Sequence, residues 1–187
     1  IVTKVVNIYN QLQDRPGRQQ RNRKSVDEWK IILERESNKK FPCYSVLIPR
    51  GIRVAGKIYF SKQPVFVSTN FVVCTLHSYE AAIIMASWMS TIFYQLLCEV
   101  SSKDQEGMRK MEVADILKTY IPSIEKISPE TIDKIKIEID DIEFLTLNNP
   151  EIRNIDKIWA EELFGVNALD NLNTAKRLLC YLANKRN

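Results

Sequence analysis

The sequence predicts an α+β fold: a small mixed or antiparallel sheet packed on a long central helix, followed by a C-terminal helical subdomain. Three observations lead there. Runs of β-branched and aromatic residues broken by Pro and Gly fill positions 41–77, which is strand composition. From Tyr79 to Ser101 apolar residues lie on nearly every helical face, as a helix buried against a sheet requires. Beyond Tyr120-Ile-Pro122 the apolar residues recur three and four apart, the spacing of amphipathic helices.

Each element has a local signal. Ile1, Val5, Ile8 and Leu12 recur at helix spacing until Pro16-Gly17 stops them. Ser25 opens a second helix through a capping box with Glu28, and Trp29, Ile32 and Leu33 form its apolar stripe. Tyr44–Ile48 reads as a strand ended by Pro49-Arg50-Gly51, and Ile52–Phe60 as one strand with a kink at Gly56. Gln63-Pro64 turns the chain into Val65–Leu76, one or two further strands, and Ser78 is placed to cap the central helix. Met108–Val113 reads as a short edge strand and Ala114–Lys118 as a short helix. Ser128-Pro129-Glu130 is a helix start, with Ile132, Ile135, Ile139 and Ile142 as the stripe. Asn149-Pro150 is read as the start of a helix carrying Ile152, Ile155, Ile158, Trp159 and Leu163, stopped by Gly165. A last helix, from about Leu169 to Asn184, shows Leu172, Ala175, Leu178, Leu179 and Leu182. The chain divides into a connector of helices and a basic loop (1–40), an α+β domain (41–122) and a C-terminal helical region (123–187).

With 187 residues, 45% of them hydrophobic and 9% aromatic, the chain has the material for one good core. Its net charge of +4 conceals an asymmetry: residues 1–111 hold 17 Lys/Arg against nine Asp/Glu, and residues 112–187 hold ten against 14. No Asp or Glu occurs between Ser37 and Tyr79, while Lys39, Lys40, Arg50, Arg53, Lys57 and Lys62 all do. A surface of one sign suits a polyanion, because each cation placed on a phosphate releases condensed counterions. Use of Lys and Arg for solubility alone is the competing reading.

Cys43, Cys74, Cys98 and Cys180 form no C-x-x-C pair, so neither a zinc site nor a disulfide framework is indicated, and a reduced cytoplasmic setting fits. Polar residues interrupt the apolar run Ala81–Val100, which reads as a core helix and not a membrane span. The opening at Ile1, without an initiator Met or a signal peptide, reads as a fragment of a larger protein or a processed chain.

The candidate site residues are cations, and the candidate ligand is duplex DNA. Arg50 and Arg53, held at a turn by Pro49 and Gly51, are placed to read bases, since the Arg fork matches guanine O6 and N7. Lys57, Lys62, Arg109 and Lys110 are assigned to phosphates, which set register without reading sequence. The loop Arg15–Lys24, with Arg18, Arg21 and Arg23, is a candidate phosphate clamp, or equally a solvated loop. Ser68, Thr69 and Asn70 can reach base edges or close an internal Asn turn. His77, the single histidine, stands at a strand-to-helix junction and reads as structural. No catalytic residue or metal ligand is assigned. A nuclease that converges two carboxylates and a lysine on a metal is disfavoured, because the β-region has no acid and Glu138, Asp140 and Asp141 lie in helical sequence. A protein-interaction module, docking a partner subunit through the acidic C-terminal helices, stays open as the alternative.

The succession Val46-Leu-Ile-Pro-Arg50, Val67-Ser-Thr-Asn-Phe71, a long helix, Gly107-Met-Arg-Lys-Met-Glu-Val113 and Tyr120-Ile-Pro122 resembles the target recognition domain of N6-adenine DNA methyltransferases. Such domains occur in type II and IIG restriction–modification enzymes and, in related form, in type I specificity subunits. Arg153-Asn-Ile-Asp156 with Leu163 and Gly165 is similar to the R-x-x-D … L-x-G helical tail that follows them. The resemblance covers roughly 41–184. It implies sequence-specific binding of double-stranded DNA, on behalf of a methyltransferase catalytic domain in the same polypeptide or a partner subunit. That catalytic domain would use S-adenosyl-L-methionine. No N-P-P-Y or D-P-P-F motif and no glycine-rich methyl-donor turn occurs here, and Asn149-Pro150 runs on into Glu-Ile. The expectation is a chain without catalysis or cofactor of its own.

Overall fold

The computed structural model describes Asp27, Glu28, Ile31 and residues 43–186. The chain separates into two compact units, residues 1–41 and 42–187. Within the first, Asp27, Glu28 and Ile31 are helical and exposed. The helix assigned to Ile1–Leu12, the Ser25 cap, the stripe Trp29, Ile32 and Leu33, and the loop cations Arg18, Arg21 and Arg23 lie outside the described residues.

The second unit has the predicted α+β architecture. Its largest sheet is antiparallel, ordered β4-β1-β5, from β1 (Ser45–Pro49), β4 (Tyr59–Ser61) and β5 (Phe71–Thr75). Val46 pairs with Phe60 and Cys74, and Ile48 with Val72, so strand alternation puts these side chains on one face. Val46, Ile48 and Val72 on that face are buried, in the same core as helix α1 (Tyr79–Ser90). Ser78 caps α1 by accepting from the Ala81 amide at 3.1 Å. Ala81 to Ser90 are all buried.

The predicted strand Ile52–Phe60 is three short strands instead. β2 (Gly51–Ile52) pairs with β7 (Met108–Lys110), β3 (Ala55–Gly56) with β8 (Leu145–Thr146), and β4 with β1. β7 also pairs with β6 (Lys103–Gln105) in an antiparallel hairpin. Each segment thus satisfies its backbone groups with a different partner. Gly56 is required for a close approach: a Cβ there would lie 2.7 Å from the Gln95 Oε1. From Val65 to Leu76 only Phe71–Thr75 is strand; before it the Phe71 amide donates to Ser68 O and the Asn70 amide to Ser68 Oγ, so the turn is closed by the Ser68 hydroxyl and not by the Asn70 side chain.

The central helix is broken. α1 ends at Ser90, α2 (Ile92–Ser101) starts after the single residue Thr91, and the two axes bend by 68°. Thr91 is extended (φ −71°, ψ 158°), and its hydroxyl accepts from the Tyr94 amide. Ser87, Ser90 and Thr91 hydroxyls all donate to backbone carbonyls in the preceding turn, the competition that weakens helices at Ser and Thr. Among the described residues no single helix is long and apolar enough to cross a membrane.

α3 (Val113–Ile116) is shorter than expected. α4 (Pro129–Glu138) starts at the predicted signal, Ser128 accepting from the Thr131 amide. Its stripe passes into a 3-10 turn at Ile139–Asp141, leaving Ile142 beyond the helix. The next helix, α5 (Asn154–Phe164), begins five residues after Asn149, where Arg153 and Asp156 rather than Pro150 set the cap. Gly165, at φ 52°, ends it. α6 (Ala168–Arg186) packs on α2 and α5. Burial pushes the Cys98 thiol up to about 11, so it is a neutral core group.

Candidate nucleic-acid interface

Among the described residues, the predicted cations fall into three environments, not onto the single face the acid-free sequence implies. One is an exposed edge built on β2 and β7. Arg50 joins β1 to β2, and its backbone is tied on both sides: its amide donates to Asn70 O at 2.8 Å and its carbonyl accepts from the Met111 amide at 2.7 Å. Its guanidinium Nη1 donates to Glu112 Oε2 while the side chain stays 32% exposed. Lys110 pairs with Gly51 on one side and Lys103 on the other. Cross-strand neighbours share a face, so Lys103 and Lys110 project together into solvent. Like charges in that position destabilise a hairpin unless an anion offsets them.

Arg53 continues this edge. Its Nη1 donates to Glu106 O at 3.0 Å, the first residue of the β6–β7 turn. Glu106 and Gly107 have φ of 53° and 71°, the pair of positive values of a type I′ hairpin. The carbonyls of Ile52 and Arg53 accept from the two terminal nitrogens of Arg186, at 2.8 and 3.0 Å.

The second environment is aromatic. The Lys57 ammonium lies 4.0 Å from the Phe144 ring centroid and 5.0 Å from that of Tyr59. Lys62 stands 5.3 Å from the Tyr79 centroid and pairs with Asp140 at 3.5 Å. Both cations thus already face rings or a carboxylate of the C-terminal region.

The third environment is the interior, and it corrects the assignment of Arg109. This side chain is 1% exposed, so it cannot meet a phosphate. It donates to Gln95 O at 3.2 Å, Gln95 Oε1 at 2.6 Å and Glu99 Oε1 at 3.2 Å. Arg186 shares Glu99 at 3.3 Å. Neighbours along a strand point to opposite faces, so Arg109 and Lys110 could never act as a pair. Two residues of the edge were missed in the sequence. Lys103 lies between the predicted central helix and the predicted strand at Met108, and only its register with Lys110 brings it in; Glu112 lies just past the outward lysine. His77 is exposed and lies between β5 and α1.

The R-x-x-D tail has a structural task. Arg153 bonds to Ser90 O at the end of α1, and Asp156 Oδ1 accepts from the Ile92 amide at 2.8 Å at the start of α2. Arg153 and Asp156 also bond each other at 2.9 Å. A cation therefore meets orphan carbonyls and an anion meets orphan amides at one break, as the helix dipoles favour.

A family described as the specificity domain of restriction endonuclease BpuSI matches residues 1–152. The solved structure of the type IIG restriction endonuclease BpuSI superposes with a TM-score of 0.83 at 32% identity, covering 99% of this chain and 21% of that one. Among curated proteins there is no match. The chain thus spans about a fifth of the solved chain's length. With the sheet, the broken central helix and the C-terminal helices in place, and with the greater part of its length matched, the chain belongs to the family of BpuSI-type restriction endonuclease specificity domains.

Proposed function

We propose that this chain is the part of a larger restriction–modification enzyme that binds duplex DNA and selects its sequence, with the Arg50–Lys110–Lys103 edge as its contact surface. The observation that carries this reading is the mounting of Arg50. A partly exposed guanidinium on a backbone hydrogen-bonded from both sides has the rigidity that base readout needs. Lys103 and Lys110 supply cations for the phosphates beside it. Arg53 is braced against the hairpin turn and belongs to the same edge.

The catalytic part, on this reading, lies in the same polypeptide or a partner subunit and methylates adenine N6 with S-adenosyl-L-methionine. A cytoplasmic setting accompanies it, and the four free thiols agree with that. Fluorescence anisotropy of the full chain against random-sequence duplex, over a series of salt concentrations, tests the binding claim. Affinity falling with a log–log slope of several units supports it. A flat response removes it and favours the docking-module alternative. Enrichment from a randomised duplex library then tests selectivity.

A further inference from the structure

Glu112 sits where an anion belongs on this edge. Its Oε2 accepts from Arg50 Nη1 and its Oε1 lies 3.9 Å from Lys110 Nζ, with Lys103 facing Lys110 across the hairpin. The three contacting side chains are open to solvent, at 32% for Arg50, 46% for Lys110 and 50% for Glu112. The carboxylate is also mounted firmly: the Glu112 amide donates to Asp115 Oδ2 at 3.0 Å, and the preceding Met111 amide donates to Arg50 O. Guanidinium and carboxylate are thus carried on backbone segments that are themselves hydrogen-bonded together.

We propose that Glu112 is a specificity-determining residue, which holds the anion position beside Arg50 and so reserves that guanidinium for a neutral base edge instead of a backbone phosphate. This rests on the DNA-reading role proposed above. A phosphate carries a full negative charge and reaches the Arg50 guanidinium only by displacing Glu112 or by standing against it, and like charges at contact distance repel; Lys110, farther from Glu112, stays open to a phosphate on its solvent side. A guanine edge is uncharged and presents two acceptors, O6 and N7. It takes the Nη2 donors and the second Nη1 hydrogen while Glu112 keeps its hold on Nη1, the Nε of Arg50 being buried. Glu112 therefore weakens binding to arbitrary DNA more than binding to the target. Specificity is that difference, obtained by penalising the wrong partner.

The full chain, as wild type, Glu112→Gln and Arg50→Ala, is titrated with random-sequence duplex over a salt series and carried through enrichment from a randomised library. Glu112→Gln is expected to bind random duplex about three- to tenfold tighter at low salt, with a log–log slope steeper by about one. Its enriched sequences should lose preference at the position that Arg50→Ala also loses. Random-duplex binding that is unchanged or weaker, or enriched sequences identical to wild type, overturns the proposal. If Glu112→Gln does not fold, Glu112→Asp replaces it; its shorter reach should give a smaller gain in the same direction, and no gain overturns the idea. A wild-type chain that binds no duplex, or binds without salt dependence, removes the DNA reading and this inference with it. Steep wild-type salt dependence beside an unresponsive Glu112 variant removes the role of Glu112 alone.

Discussion

Asp156 and Ile92, 64 positions apart, are joined by a 2.8 Å hydrogen bond from the Ile92 amide to the Asp156 carboxylate. That bond joins the Thr91 hydroxyl, which accepts from the Tyr94 amide, in satisfying the free amides at the start of a new helix. Asp156 is fully buried and also holds Arg153, whose guanidinium reaches the last carbonyl of the preceding helix. Asp156→Ala is expected to lower stability by about 3 kcal/mol, because it leaves a buried amide without its acceptor and a largely buried guanidinium without its carboxylate. Urea denaturation followed by far-UV circular dichroism checks this; a loss below about 1 kcal/mol would place the break under other control.

Arg50→Ala should change which sequences are enriched from a randomised library, with a cost of about 1–3 kcal/mol on the preferred target. Lys110→Ala should instead weaken all duplexes alike and lower the salt slope by about one. Equal effects of both substitutions on target and random DNA would contradict the division of labour between them.

For Arg109 the expectation is about folding. Arg109→Ala removes the donor to three acceptors in the interior and should cost about 3 kcal/mol. Arg109→Lys should recover little of it, since one ammonium cannot reproduce the forked geometry. Thermal melting separates this from a surface role, in which both variants would melt like the wild type.

Glu162 supplies a pH dependence. Burial alone would raise its pKa, but hydrogen bonds from the Thr131 and Ser128 hydroxyls and the Ser128 amide outweigh it and hold the carboxyl below its ordinary 4.5. A carboxylate with a depressed folded-state pKa adds stability that is present above 4.5 and is lost as pH falls through the folded value. Glu162→Gln should therefore destabilise the protein at neutral pH and narrow its gap from wild type below that range. A stability difference independent of pH would show that the charge on Glu162 is immaterial.

Gly165→Ala places a side chain at φ 52° with open space around it, so its cost is conformational alone. A loss of about 1 kcal/mol in urea denaturation is expected, and no loss would mean that the turn rearranges.

Elements with a local cause were legible in the sequence. Ser78, Ser128-Pro129 and Gly165 act on their own turns, and each bounds a helix where the residues indicate. The strand read at Tyr44–Ile48, found at Ser45–Pro49, was legible from its run of apolar and β-branched residues before a Pro-Arg-Gly turn. The bend at Thr91 was not, because Ser87, Ser90 and Thr91 weaken a helix without fixing where it breaks, and the carboxylate that meets the new helix start lies far along the chain. Nor was the division of Ile52–Phe60, whose two- and three-residue strands exist only through their partners. At the site, period-two alternation does require Arg109 and Lys110 to face opposite ways, yet it does not say which faces inward. That was decided by Gln95 and Glu99 on the neighbouring helix.

Arg186 grips the carbonyls of Ile52 and Arg53, more than 130 positions earlier, and shares Glu99 with Arg109. During synthesis the segment bearing Arg53 is complete long before the residue that secures it leaves the ribosome. Contacts of such sequence separation form late. A nascent chain consequently carries Arg53 on an unsecured segment, and the backbone at Ile52 and Arg53 reaches its final geometry only once the last turn of α6 has docked.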